Sequence, residues 1–192
     1  MTDLDRISDQ EGVFLLSIAR DVIKKELFHN SDTSQDNSSI SPKMNEKRGT
    51  FVTLTINNNL RGCIGNISSN EPIIKGIRNN AVNAAFHDPR FRPLSKTEWK
   101  DVKIEISILT EPGKLNYSDR NDLLEKLRPG IDGVIIKKGM HQSTFLPQVW
   151  DQLPEKREFL THLCLKAGLD KNAWENESIE VLTYQVQAFE EK

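Results

Sequence analysis

The sequence predicts an α+β fold in which a mixed, largely antiparallel sheet packs with helices. Apolar residues recur at helical spacing in some segments and alternate with a period of two in others, and the two kinds of segment interleave along the chain. At least two pairs of strands are joined by turns far shorter than the crossover that parallel neighbours require. With 192 residues the chain has the length of one domain and can bury a full core. We read that domain as spanning residues 9–190.

Ser8-Asp9-Gln10-Glu11 has the form of a capping box, in which a serine and a glutamate satisfy each other's backbone N–H groups at a helix start. Phe14, Leu15, Ile18, Val22 and Ile23 follow at helical spacing and predict a helix over residues 9–28. Residues 30–41 are polar, rich in Ser, Asn and Asp and without periodicity. They read as a flexible insertion, dispensable for folding, because they bury too little apolar surface to offset the entropy of ordering. Residues 51–56 alternate, with Val52, Leu54 and Ile56 on one face. Asn57-Asn58-Asn59 then supplies turn chemistry tolerant of positive φ, so a hairpin is expected whose return strand carries Cys63. Asn70 is read as the cap of a helix with Pro72 in its first turn and an apolar stripe of Ile73, Ile77, Ala81 and Ala84 or Ala85, ended by Asp88-Pro89.

Ser95-Lys96-Thr97-Glu98 repeats the capping-box pattern and is read as opening a short helical turn, after which Val102, Ile104, Ile106 and Ile108 alternate as a half-buried strand. Past the Pro112-Gly113 turn, Leu123, Leu124 and Leu127 predict a short helix that stops before Pro129-Gly130. Val134-Ile135-Ile136 reads as a buried strand, and Lys138-Gly139 as a hairpin into residues 143–146. Pro154 is placed at the start of a helix whose apolar face carries Phe159, Leu160, Leu163, Cys164 and Ala167, with Gly168 at its end. Residues 179–189 have strand composition and are expected to return to the sheet.

Hydrophobic residues make up 36% and charged residues 28% of the chain, with a net charge of −2 and an isoelectric point near 6.1. That balance argues against nucleic acid as a partner, since a phosphate backbone demands clustered positive charge. The chain opens on acidic Met1-Thr2-Asp3-Leu4-Asp5, and no apolar run approaches the roughly 18 to 20 residues of a membrane span. A cytoplasmic location, with no membrane association, is expected. The two cysteines lie far apart, so free thiols in a reducing compartment are the reading. His29, His87, His141 and His162 are scattered without metal-ligand spacing, so neither metal nor cofactor is expected.

The candidate site is Leu60-Arg61-Gly62-Cys63-Ile64-Gly65. Glycines inside a strand mark a bulge or the close approach of another backbone or a ligand, which makes Gly62 and Gly65 candidate binding positions. In extended geometry Arg61 and Cys63 share a face, and a guanidinium there favours the thiolate, so Cys63 is the candidate nucleophile and Arg61 its support. The plain alternative is a cysteine serving as a small buried hydrophobe, which is the reading given to Cys164. Asp88-Pro89-Arg90-Phe91-Arg92-Pro93 is a connection stiffened by two prolines, and Asp88, Arg90 and Phe91 are further binding candidates. Their plain reading is a local ion pair of Asp88 with Arg90 or Arg92, and a phenylalanine plugging the core.

Read in order, residues 49–54, residues 60–65, Ala84-Ala85-Phe86 with Asp88-Pro89-Arg90-Phe91, Phe145-Leu146-Pro147-Gln148-Val149-Trp150 and Lys166-Ala167-Gly168-Leu169 resemble the AMMECR domain family, also called AmmeMemoRadiSam system protein A. The resemblance runs from about Gly12 to Phe189. It implies one compact α+β chain of two unequal subdomains with a cleft, intracellular, of unsettled activity. The family hexapeptide falls on residues 60–65 without departure and its Asp-Pro-Arg-Phe block on residues 88–91; the polar insertion and His87 are departures. The family's name implies a pathway shared with a Memo-like protein and a radical S-adenosylmethionine enzyme. Two cysteines cannot ligate the cluster that radical chemistry needs, so that step would belong to the partner.

Three functions are compatible with these residues. In the first the protein is an enzyme or enzyme subunit, with Cys63 as nucleophile or covalent carrier in a cleft that Asp88 and Arg90 shape. In the second it is a noncatalytic binding or adaptor module, which a small molecule or peptide approaches at the two glycines. The third is RNA or nucleotide binding through Arg61, Arg90, Arg92 and Lys96, against which the overall charge argues.

Overall fold

The first helix forms where the capping box places it. Glu11 N–H donates to the Ser8 hydroxyl (3.3 Å) and Ser8 N–H donates to the Glu11 carboxylate (2.7 Å). The computed structural model describes residues 6–29, 41–67, 70–176 and 178–192. The expected insertion therefore lies, except for Ser41, outside the described residues. In chain order the elements are α1 (Asp9–Phe28), β1 (Thr50–Ile56), β2 (Asn59–Asn66), α2 (Ile73–Phe86), β3 (Val102–Leu109), β4 (Gly113–Lys114), α3 (Arg120–Lys126), β5 (Gly133–Lys138), β6 (His141–Phe145), α4 (Lys156–Lys166), α5 (Ala173–Asn176), β7 (Glu180–Tyr184) and β8 (Val186–Glu190). The class is α+β. The strands form two four-stranded sheets, β2-β1-β3-β8 and β4-β7-β5-β6, and the chain divides into two units, Met1–Leu109 with Gln187–Lys192, and Thr110–Val186.

In the first unit, β1 pairs antiparallel with β2 on one side and β3 on the other. Asn57 (φ 52°) and Asn58 (φ 63°) make the tight β1–β2 turn, because asparagine tolerates the left-handed region that two-residue hairpin turns demand. One sheet face presents Val52, Leu54, Ile104 and Ile106 to a core shared with Leu15, Ile18 and Ile23 of α1 and Ile73, Ile77 and Ala81 of α2. The opposite face carries Thr53 and Glu105, which stand directly across from each other. In the second unit, Phe159, Leu160, Leu163 and Cys164 of α4 pack on Val134, Ile136 and Val181. Phe159 stacks on Trp150 with centroids 3.6 Å apart. Cys164 has no exposed surface. Among the described residues no helix is long and apolar enough to cross a membrane.

Four details differ from the sequence expectation. Asn70 does not cap α2; Pro72 occupies the cap position without a side-chain bond, and the Ile73 N–H is satisfied by the Glu46 carbonyl (2.9 Å) instead. Pro154 lies just ahead of the α4 cap, Glu155. The Glu98 carboxylate reaches back to Ser95 N–H (2.9 Å) as a box requires, but the segment remains a set of turns. Residues 179–189 form two strands, one in each sheet, interrupted at Gln185, whose N–H donates to the Thr110 hydroxyl (2.9 Å).

Candidate functional site

The hexapeptide lies in β2, the outermost strand of its sheet. A regular continuation from the Ile56↔Asn59 closing pair would set Cys63 opposite Val52, facing the core. The observed register slips between Leu54 and Thr55. Thr55 faces Leu60, Leu54 faces Gly62, and Arg61 is the extra residue. Because side chains alternate with a period of two, this one-residue bulge moves Cys63 to the other face. There it stands directly opposite Thr53, whose hydroxyl donates to Sγ (3.3 Å). Cys63 is half-buried, in contrast to Cys164.

The glycines admit the chain itself. A Cβ at Gly62 would lie 2.2 Å from the Ala84 carbonyl oxygen of α2, and one at Gly65 would lie 2.3 Å from the Phe51 ring and 2.4 Å from the Thr50 carbonyl. These are backbone and ring contacts that cannot give way. Of the alternatives the sequence offered, another backbone or a ligand, the close approach seen here is that of the chain itself, by α2 at Gly62 and β1 at Gly65, and Gly62 fixes how closely α2 can pack on the sheet.

Residues 88–91 clamp the open edge of β2. Cys63 N–H donates to Asp88 Oδ2 (2.9 Å), and Arg90 Nη2 donates to the Cys63 carbonyl (3.1 Å). Asp88 also accepts from Arg90 N–H (3.1 Å), Nε (3.0 Å) and Nη2 (2.7 Å). Its side chain is 2% exposed. The Arg90 guanidinium, with the Cys63 and Arg90 backbone N–H groups, holds the Asp88 carboxyl well below the usual carboxylate range, outweighing the burial that pushes it up. Arg90 is itself raised, chiefly by Asp88, against the burial that lowers it. The guanidinium that touches the Cys63 residue is therefore that of Arg90.

Arg61 is committed elsewhere. Its Nε and Nη2 donate to Glu98 (2.7 and 3.2 Å) and Nη2 also to the Arg92 carbonyl (2.9 Å). Its Nη1 is buried without a hydrogen-bond partner among the described residues. Arg61 depresses the Glu98 carboxyl to about 2, with help from Ser95. The Phe91 ring lies beside both guanidinium groups, 5.8 Å from Arg61 and 5.5 Å from Arg90. Arg61, Cys63, Asp88, Arg90 and Phe91 thus gather at one edge of the sheet. His87 is exposed at the end of α2.

Sequence reasoning missed Thr53, Glu98 and Glu105. Glu98 was legible only as a cap, and the other two come to Cys63 through a register that the bulge sets. Glu105 is half-buried on β3 directly across from Thr53. Burial, aided by the Glu190 charge, pushes its carboxyl up, against a hydrogen bond from Ser107 (3.3 Å). Among the described residues no group of three or more His, Cys, Asp or Glu side chains is placed to hold a metal ion.

Residues 16–189 match the AMMECR1 family. The chain belongs to the AMMECR1 family. It is 36% identical over 198 residues to a protein of Methanopyrus kandleri, covering 98% of this chain and 92% of that one. It is 39% identical over 183 residues to a protein of Nanoarchaeum equitans, covering 92% and 98%. The crystal structure of an uncharacterized protein from Pyrococcus horikoshii superposes with a TM-score of 0.86 at 33% identity, covering 97% of this chain and 94% of that one. The matched residues contain the hexapeptide, the 88–91 clamp, Thr53 and Glu105.

Proposed function

We propose that this AMMECR1-family chain is a thiol enzyme or enzyme subunit in which Cys63 forms a covalent bond to its substrate. The observation that carries the reading is the placement of Cys63. A one-residue bulge turns the thiol from the core face to the polar face, a hydroxyl donates to Sγ, and both backbone groups of the residue are clamped by Asp88 and Arg90. A cysteine serving only as a small hydrophobe would sit where Cys164 sits. The thiolate is the form that attacks, and the Thr53 hydroxyl is placed to donate to its sulfur. In this reading Arg90 and Phe91 border the substrate, Asp88 positions Arg90 and β2, and Arg61 positions Phe91 and Glu98. As the family's name suggests, the chemistry would share a pathway with a Memo-like protein and a radical S-adenosylmethionine enzyme, the radical step being the partner's.

The test is a comparison of Cys63→Ser with Cys63→Ala in the full chain, read by urea denaturation and by adduct formation with a panel of mild electrophiles. The thiol reading expects both variants to keep nearly all the wild-type stability and to lose the adduct. A noncatalytic binding module expects the same stabilities but no adduct at Cys63 in wild type. That second outcome rejects the enzyme reading.

A further inference from the structure

Three side chains in adjacent strands form one straight row across the polar face of the first sheet: Cys63 on β2, Thr53 on β1 and Glu105 on β3. Directly opposed residues have Cβ atoms about 4.5–5.5 Å apart. Cys63 and Glu105 are therefore separated by about two such steps, with one small hydroxyl residue between them. We propose that Glu105 is the acid–base group that serves the Cys63 thiol, with Thr53 as the positioning residue between them and an acyl compound, an ester or thioester, as the substrate class. The inference rests on the thiol reading above.

Two further features fit this role. The Ser107 hydroxyl, buried two residues along β3, donates to Glu105 Oε1 and fixes the carboxyl orientation (3.3 Å). Burial first and the charge of Glu190 on β8 second raise the proton affinity of Glu105, in the direction an acid–base group needs in order to exchange protons near neutral pH. The charged neighbours on this face are Glu190 from β8 and Lys103 two residues back on β3; from β1 and β2 the facing groups are Thr53 and the Cys63 thiol.

The chemistry balances without an oxidant or a cofactor. The Thr53 hydroxyl, which donates to Sγ at rest, turns its proton to the Glu105 carboxylate one step away across the sheet and passes it there as Oγ1 accepts the proton of the Cys63 S–H. Sγ then forms a bond to the carbonyl carbon, and the carbonyl π pair moves onto oxygen. When that pair returns, the bond to the leaving oxygen or sulfur breaks, and Glu105 delivers its proton to the leaving group. Water reverses the sequence. Glu105 takes a proton from water, the hydroxide adds to the thioester, and the Cys63 thiolate leaves and recovers a proton from Glu105 through Thr53.

The experiment uses the full chain and p-nitrophenyl acetate, with acylation of Cys63 followed by mass spectrometry from pH 5 to 9. Wild type should acylate at Cys63. Glu105→Gln should slow acylation by about 100-fold or more and remove the pH inflection belonging to the carboxyl, while leaving the melting temperature unchanged or higher. Thr53→Val should lose rate as Glu105→Gln does, and Thr53→Ser should restore it, which a merely structural role for the row would not produce. Acylation of wild type with unchanged rates and pH profiles in Glu105→Gln and Thr53→Val would overturn the role of Glu105 and leave the thiol reading standing. Absence of Cys63 acylation in wild type would overturn both.

Discussion

Replacing Asp88 with asparagine tests the clamp on β2 at nearly constant shape. The carboxylate accepts four hydrogen bonds, from Cys63 N–H and from three nitrogens of Arg90. An amide can present its oxygen to one pair of these donors and must turn its own NH2 toward the other pair. Two charge-assisted bonds are lost, each worth about 1.5–3 kcal/mol. Arg90 is half exposed, so its released guanidinium is rehydrated, and we place the net loss near the lower end, at about 3 kcal/mol. For a chain of this length that is a fall in melting temperature of about 6–12 °C. The sign of the pH dependence follows from the depressed Asp88 pKa. Its contribution is complete above the unfolded value of about 3.9 and disappears as the pH falls through the lower folded value. The gap between wild type and Asp88→Asn should therefore be constant from pH 5 to 7 and narrow below about pH 4. Urea denaturation at several pH values gives the gap, and hydrogen exchange of the Cys63 amide gives the local effect. A loss below about 1 kcal/mol with unchanged Cys63 protection would refute the clamp.

Gly62→Ala should be severely destabilising, by about 3 kcal/mol or more, because its Cβ meets the Ala84 carbonyl, whereas Gly113→Ala, with nothing within 4 Å, should be neutral within about 0.5 kcal/mol; chemical denaturation of the pair decides. The Glu98 carboxyl, held at about 2 by Arg61, should contribute stability above its unfolded value near 4.5 and lose it as the pH falls toward 2; Glu98→Gln should flatten that part of a stability-versus-pH curve. Ser8→Ala should cost about 1 kcal/mol through loss of the capping box, measured as a shift of the urea midpoint at constant slope.

Local chemistry made much of this fold legible. The α1 cap, the Asn57-Asn58 turn and the apolar stripe of α2 are decided by residues close in sequence, and each appears where the pattern places it. The start of α2 was not legible, since the Glu46 carbonyl that satisfies Ile73 comes from a distant segment. The 179–189 run reads as one strand because nothing in its composition shows that Gln185 joins Thr110 and splits it between sheets. At the site, the hexapeptide and the 88–91 loop were identifiable, and the prolines do preset a loop that meets Cys63. The partners of Cys63 were not. A regular hairpin register sets Cys63 against Val52, and only the bulge at Arg61 brings Thr53 and, beyond it, Glu105 into line.

The central claim is that Cys63, and not Cys164, carries chemistry, and its most direct measurement is the rate of alkylation of each thiol in the folded protein, resolved by mass spectrometry across pH. Cys63, half-buried where Cys164 is buried, should react at least about tenfold faster than Cys164 at every pH. Equal protection of both thiols would contradict the claim.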